Sequence, residues 1–173
     1  MTNEQLRKCL DKVCDGDKTA FADIYNDMKT PIFTIICRIT HNHEQAEDVL
    51  HDLFVKLYQS PPNLSVKNPR AWIFQMARNL AINGTRVPRT VALDEDFENP
   101  GTSFSDTLAL NIDMERAMKS LPSDELEIVS LRIYGDLKFR EISRILNIPL
   151  GTALWKYQKA IKRLRLYFNG GSI

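Results

Sequence analysis

Apolar residues along this chain recur at steps of three and four, the spacing of a helix face, and no segment alternates as a half-buried strand does. A short amphipathic pattern covers Thr2 to Val13 and ends at the polar turn Asp15-Gly16-Asp17. Phe21, Ile24, Tyr25 and Met28 then repeat, with Thr19 as the expected N-cap. Pro31 predicts a break and the start of another helix carrying Phe33, Ile36 and Cys37. After His41-Asn42-His43 the pattern resumes from Glu44 to Tyr58. Leu50, Leu53, Phe54 and Leu57 form one stripe there, with Glu47, Asp48 and Asp52 on other faces, and Pro61-Pro62 ends it. Ser60 to Asn68 reads as a loop, and Pro69 suits the first turn of the next helix. In that helix Trp72, Ile73, Met76, Ala77 and Leu80 are expected inward, Arg70, Arg78, Asn79 and Asn83 elsewhere, and Gly84 is expected to stop it.

Val87 to Ser105 has no period, and Pro88, Pro100, Gly101 and the acidic run Asp94-Glu95-Asp96 mark a mobile linker. Asp113 to Ser120 reads as helical. Pro122-Ser123-Asp124-Glu125 opens a helix in which Leu126, Val129, Ser130 and Ile133 recur until Gly135. Phe139 to Leu146 repeats at 142, 145 and 146. Asn147-Ile148-Pro149 interrupts, and a last run begins near Thr152, with Gly151-Thr152 expected to supply flexibility and then an N-cap. A short helix, a tight turn and a second helix carrying Trp155, Lys156, Lys159, Lys162 and Arg163 make a helix-turn-helix, whose second helix would enter a DNA major groove. The fold class is therefore all-α: two small helical domains joined by a flexible acidic linker, the second a helix-turn-helix.

Charge sharpens this division. The 173 residues carry a net charge of only +1. From Lys138 to Phe168, however, eight Lys and Arg face Glu141 alone, a local +7, while Ala92 to Glu127 holds ten acids against two bases, a local −8. A basic helix-turn-helix suits phosphate neutralisation, and an acidic middle suggests a separate task. A hydrophobic content of 43% supports packed cores. There is no long uncharged apolar run and no secretory signal, so a cytoplasmic protein without membrane insertion is expected. Cys9, Cys14 and Cys37 lack paired-ligand spacing and read as buried or free thiols.

Two separated stretches then carry a family resemblance. AEDVLHDLFVKLYQ followed by NPRAWIFQMARNLAIN resembles the promoter-melting domain of a bacterial sigma factor. LPSDELEIVSLRIYGDLKFREISRILNIPLGTA resembles that family's upstream-promoter-reading domain, and the short spacing is similar to the extracytoplasmic-function group. The resemblance implies domains at 1–86 and 110–173 with a linker at 87–109. It also implies a transcription initiation factor, not itself an enzyme and without a cofactor, that binds core RNA polymerase, directs it to promoters and helps melt DNA.

Residue by residue, the resemblance puts Glu47, Asp48, Leu50, Asp52, Leu53, Phe54, Lys56 and Leu57 on the clamp helices of the polymerase's largest subunit. An apolar stripe flanked by acids suits a coiled coil with exposed arginines. Asn63, Leu64 and Ser65 would capture a flipped base of the minus-ten element. Arg70, Trp72, Arg78, Asn79, Asn83 and Arg86 would lie along the opened strand, and Asp94, Glu95, Asp96 and Glu98 would thread the RNA channel as nucleic-acid mimics. The second domain would sit on the flap of the second-largest subunit. Its upstream contacts would come from Lys138, Arg140, Arg144, Thr152, Leu154, Trp155, Lys156, Gln158, Lys159, Lys162 and Arg163. An anti-sigma factor or another recruiting protein is a further implied partner.

The recognition helix departs from the family pattern. Where the family follows its Gly-Thr with an apolar residue, Lys or Arg, Ser and Arg, this chain has Ala153, Leu154, Trp155 and Lys156, and a later basic position is Ile161. Ala153, Tyr157, Ala160 and Leu164 make one apolar stripe; Leu154, Tyr157, Ile161 and Leu164 make another as regular. Leu154, Trp155 and Ile161 are thus expected to form an exposed apolar patch with blunted upstream sequence choice. Other function classes fit less of the chain. An ordinary helix-turn-helix repressor or activator leaves the first domain unexplained. A metal enzyme built on Cys37, His41, His43 and His51 lacks a carboxylate partner, so no metal is expected. A sigma-like module that needs a partner protein for DNA targeting keeps support from Leu154 and Ile161.

Overall fold

The computed structural model describes residues 1–62, 66–85, 114 and 116–169. The chain divides into two units, Met1–Asn99 and Pro100–Ile173. Every regular element among the described residues is an α-helix. The expected boundaries at 87 and 109 lie outside the described residues.

In the first unit, α1 (Asn3–Cys14) starts from a capping box in which Thr2 and Gln5 satisfy each other's backbone N–H groups. A turn at Gly16, with φ +89°, leads to α2 (Lys18–Thr40). Its cap is Asp17, not Thr19: the Asp17 carboxylate accepts from the N–H groups of Thr19 and Ala20 and from the Thr19 hydroxyl. Those bonds hold the Asp17 carboxyl below its ordinary range.

α2 also runs unbroken through Pro31, where the sequence predicts a break. An internal proline costs a helix about 3 kcal/mol. Beyond it, Ile32, Ile35 and Ile36 are at most 1% exposed, and each such burial contributes roughly 1.5–3 kcal/mol. Burial therefore outweighs the missing hydrogen bond. α2 packs against α1, α3 (His43–Gln59) and α4 (Pro69–Thr85), so it is the centre of this unit. His41, in the left-handed region, ends α2, and the Asn42 side chain caps α3 through the Gln45 N–H.

α4 is rotated from its expected register. Ile73, Phe74, Ala77 and Ala81 are fully buried, while Trp72, Met76 and Leu80 are half-buried. Phe74 takes the inward place expected of Trp72. Cys37 is buried, and burial pushes its thiol up to about 12. Cys9 and Cys14 are free thiols, half-buried and exposed.

The second unit contains a helical turn at 116–119, then α5 (Ser123–Ile133), α6 (Phe139–Leu146) and α7 (Leu150–Phe168). Its core includes Met118, Leu121, Ile128, Val129, Leu131, Ile142, Ile145, Ala153, Ala160 and Leu164. Ile133, expected on the inward stripe of α5, is exposed because the buried face runs through Ile128, Val129 and Leu131. Gly135 closes the α5–α6 turn where a Cβ would stand 2.5 Å from the Leu131 carbonyl oxygen.

The α6–α7 turn pivots on Asn147, with φ 52° and ψ 47°. A two-bond clasp holds it: the Ile148 N–H donates to the Ser143 carbonyl at 3.0 Å, and the Ser143 hydroxyl donates to the Ile148 carbonyl at 2.7 Å. α7 begins at Leu150, earlier than expected, with Pro149 in the cap position. Gly151 and Thr152 are already helical, so Thr152 cannot act as N-cap.

Candidate polymerase and nucleic-acid interfaces

The outward face of α3 is acidic. Glu47, Asp48 and Asp52 are exposed, with Lys56 and His51 beside them. Leu53 and Leu57 are 0% exposed and Phe54 5%. These three, expected at the polymerase contact, instead form the core under the helix, because a helix packed on α2 commits its one apolar stripe to that packing. Leu50 lies half-buried at the margin. The acids therefore ride on a fixed apolar underside.

Beside this face α2 and α3 enclose an apolar groove that sequence reading missed. Its volume is about 420 Å³, and Lys18, Phe21, Tyr25, His51, Phe54, Val55, Tyr58 and Gln59 line it. Phe21 meets Tyr58 edge-on at 5.0 Å, and Tyr25 meets Phe54 at 4.7 Å. The signal was present as two aromatic pairs at i, i+4, Phe21/Tyr25 and Phe54/Tyr58.

On α4, Asn79 and Asn83 are exposed and Trp72 is half-buried, with Gln75 and Met76 on the same side. Arg70 does other work. Its guanidinium lies 3.6 Å from Asp27 Oδ2, donates to the Met1 carbonyl at 3.2 Å and stacks 5.9 Å from the Phe74 ring centroid. Its side chain is 12% exposed, so it ties α4 to α2 and leaves little surface for a strand. Arg78 is half-buried. Asn63, Leu64, Ser65, Arg86 and the acids at 94, 95, 96 and 98 lie outside the described residues.

The cations of the helix-turn-helix divide into two sets. Lys156 bonds Asp124 and holds that carboxyl below its ordinary range. Lys159 Nζ and Arg163 Nη1 stand 3.6 and 3.5 Å from the two oxygens of Glu125, whose side chain is 4% exposed. These three were expected on phosphates; each is also paired with an acid at the start of α5, with side chains 24%, 43% and 31% exposed. Lys138, Arg140, Arg144 and Lys162 are exposed, as is Gln158, and Thr152 is half-buried. Leu154 and Trp155 are 36% and 58% exposed, as expected, with Lys159 Nζ 4.9 Å from the Trp155 ring centroid. Ile161 departs from expectation and packs partly buried on the cluster of Met118, Val129, Ala160 and Leu164. Ile161 follows Ala160 and precedes Leu164 by three, which puts it at the edge of the buried stripe.

His43 faces the Phe33 ring edge-on at 5.3 Å and lies 3.6 Å from Glu47, while Cys37 is buried in α2. Among the described residues no group of three or more His, Cys, Asp or Glu could hold a metal, and no helix is long and apolar enough to cross a membrane.

Comparison with known proteins locates both units. Residues 24–87 match the model for Sigma-70 region 2, and residues 117–166 match Sigma-70, region 4. The chain is 25% identical over 177 residues to the ECF RNA polymerase sigma factor SigW of Bacillus subtilis, covering 92% of this chain and 95% of that protein. It is 26% identical over 163 residues to the ECF RNA polymerase sigma factor RpoE of Cereibacter sphaeroides, covering 88% of each. Among solved structures, CnrH in complex with the cytosolic domain of CnrY has the same fold, with a TM-score of 0.63, 16% identity and coverage of 97% and 99%. RpoE of Bartonella quintana, in complex with the anti-sigma factor NepR, aligns with a TM-score of 0.65 at 20% identity over 86% of this chain and 96% of that one.

Proposed function

The chain belongs to the extracytoplasmic-function sigma factors of bacterial RNA polymerase, and from that premise we propose how its surfaces divide the work of initiation. As a sigma factor it binds core polymerase, directs it to promoters and assists melting; factors of this kind initiate transcription without being enzymes. We assign residues 1–86 to core binding and minus-ten melting and residues 110–173 to the upstream element, with 87–109 joining them.

The observation that carries this division is the pairing of an acidic, rigid α3 face in one unit with a basic helix-turn-helix in the other. Glu47, Asp48, Asp52 and Lys56, with Leu50 at their edge, form the surface offered to the clamp helices. Leu53, Phe54 and Leu57 hold that surface from below. Asn79, Asn83 and Trp72 line the α4 face for an opened strand, and Asn63, Leu64 and Ser65 receive the flipped base. Arg140, Arg144, Lys138 and Lys162 hold upstream phosphates.

The chain works in the cytoplasm, where its polymerase is. Regulation by an anti-sigma protein follows the precedent of the Bartonella quintana RpoE–NepR complex. The test is transcription by purified chain and core polymerase on a genomic DNA pool. Start sites that depend on the chain and share a promoter pattern are expected; transcription no different from core alone overturns the reading.

A further inference from the structure

Sequence preference in this helix-turn-helix has to come from a small outward surface of α7. Along the helix, Leu154, Gln158 and Lys162 follow one another at steps of four, and Gly151 and Trp155 form the adjacent row. All five are exposed. A Cβ on Gly151 would meet nothing within 4 Å, so the first turn presents bare backbone. On the flank toward α5, Lys156, Lys159 and Arg163 are each paired with Asp124 or Glu125, which competes with any contact to a base.

Recognition helices touch base edges with their N-terminal residues. The side chains that read guanine are Arg and Lys, through paired bonds to O6 and N7. No free cation stands in the first three turns of α7: Lys162 comes a turn later, where a helix leaving the groove meets phosphate. What is exposed there is Leu154, which can meet only a thymine methyl, and Gln158, whose amide matches N6 and N7 of adenine.

Resting on the sigma assignment above, we propose that α7 reads an A·T step upstream, with Leu154 on a thymine methyl, Gln158 on an adjacent adenine, and no guanine read by the helix. Trp155 borders this surface, its ring covered on one side by Lys159. The occupant is duplex DNA rather than a protein, because the same helix-turn-helix exposes Arg140, Arg144 and Lys162, and that positive charge fits a polyanion.

The test is a promoter library randomised upstream and carrying a premelted downstream bubble, transcribed by the full chain with core polymerase. Transcribed templates are expected to be enriched in a T next to an A, without a fixed guanine. Replacing that thymine by deoxyuridine removes only the methyl group. It should lower transcription severalfold with the wild type and leave Leu154→Ala indifferent. Replacing the adenine by 7-deazaadenine breaks one of the two paired bonds and should cost roughly two- to tenfold with the wild type, about half the free energy of a paired contact, and nothing further with Gln158→Ala. A fixed guanine at the selected step, or insensitivity to both base analogues, overturns the proposal. Absence of upstream enrichment also overturns it and points to a protein covering the patch. Failure of every template, the premelted ones included, would count against the sigma reading instead. Selection of the same library on immobilised full chain then judges the A·T preference separately: enrichment of the step supports it, and none overturns it.

Discussion

Glu125 and Arg163 meet across α5 and α7 with a carboxylate oxygen 3.5 Å from a guanidinium nitrogen, the carboxylate only 4% exposed. Lys159 stands 3.6 Å from the other oxygen. The Glu125 oxygen that faces Arg163 accepts no hydrogen bond, so that attraction is one of charge. One buried acid thus engages two half-exposed cations of α7.

Glu125→Gln should therefore act in two directions. Stability should fall by about 1–2 kcal/mol, less than the full cost of breaking a buried pair because both cations keep partial access to water. The two released cations should raise affinity for duplex DNA at low salt and steepen the log–log salt dependence by up to about 2. Urea unfolding and a salt titration of binding check the two halves. An unchanged salt slope would mean that the cations already serve the phosphates.

The Lys156–Asp124 bond sets an acid limit on the same contact. Its bond to Lys156 keeps the folded Asp124 carboxyl below the ordinary 3.8. A depressed folded value means that the contribution is fully present above the ordinary carboxylate value and is lost as pH falls through the lowered one. Wild type and Asp124→Asn should therefore differ in stability at pH 7 and converge once pH has fallen below the lowered folded value. A difference that persists at the lowest pH would assign the effect to packing.

Core binding should depend on the acids of α3. Reversing Asp48 and Asp52 together to Lys is expected to weaken association with core polymerase by roughly ten- to hundredfold. The circular dichroism spectrum should be unchanged, because both residues are exposed and the helix is anchored through Leu53 and Leu57. Undiminished affinity on a polymerase pull-down titration removes α3 from the interface.

Two polar residues of α4 should fail differently. Asn79→Ala should leave polymerase affinity intact and reduce open complexes, measured as permanganate-reactive thymines. Arg70→Ala should lower the melting temperature, since it strips Asp27 and the Met1 carbonyl of a partner. Equal thermal stability of the Arg70 variant would return that residue to the DNA-binding surface.

The helical order of both units was legible because each buried stripe repeats at three and four residues and each turn carries a polar or glycine signal. The failures have local causes. Pro31 reads as a stop because its backbone cost is visible in sequence, whereas the burial of Ile32, Ile35 and Ile36 that offsets it is a tertiary fact. Trp72 and Phe74 are both plausible inward residues, and only packing on α2 chooses Phe74. For the basic residues of α7, composition gives the charge but not its direction. Asp124 lies 32 residues before Lys156, with α6 between them, and nothing in a linear pattern shows that Asp124 and Glu125 meet Lys156, Lys159 and Arg163.

The Ser143–Ile148 clasp has a consequence for how such a protein can change. The angle between α6 and α7 is held by Ser143, Asn147 and Ile148, whereas the outward face of α7 is made of Leu154, Trp155 and Gln158. The two sets share no residue. Substitution can therefore change what α7 presents outward while the joint that aims it stays intact, because the two are written in separate stretches of the chain.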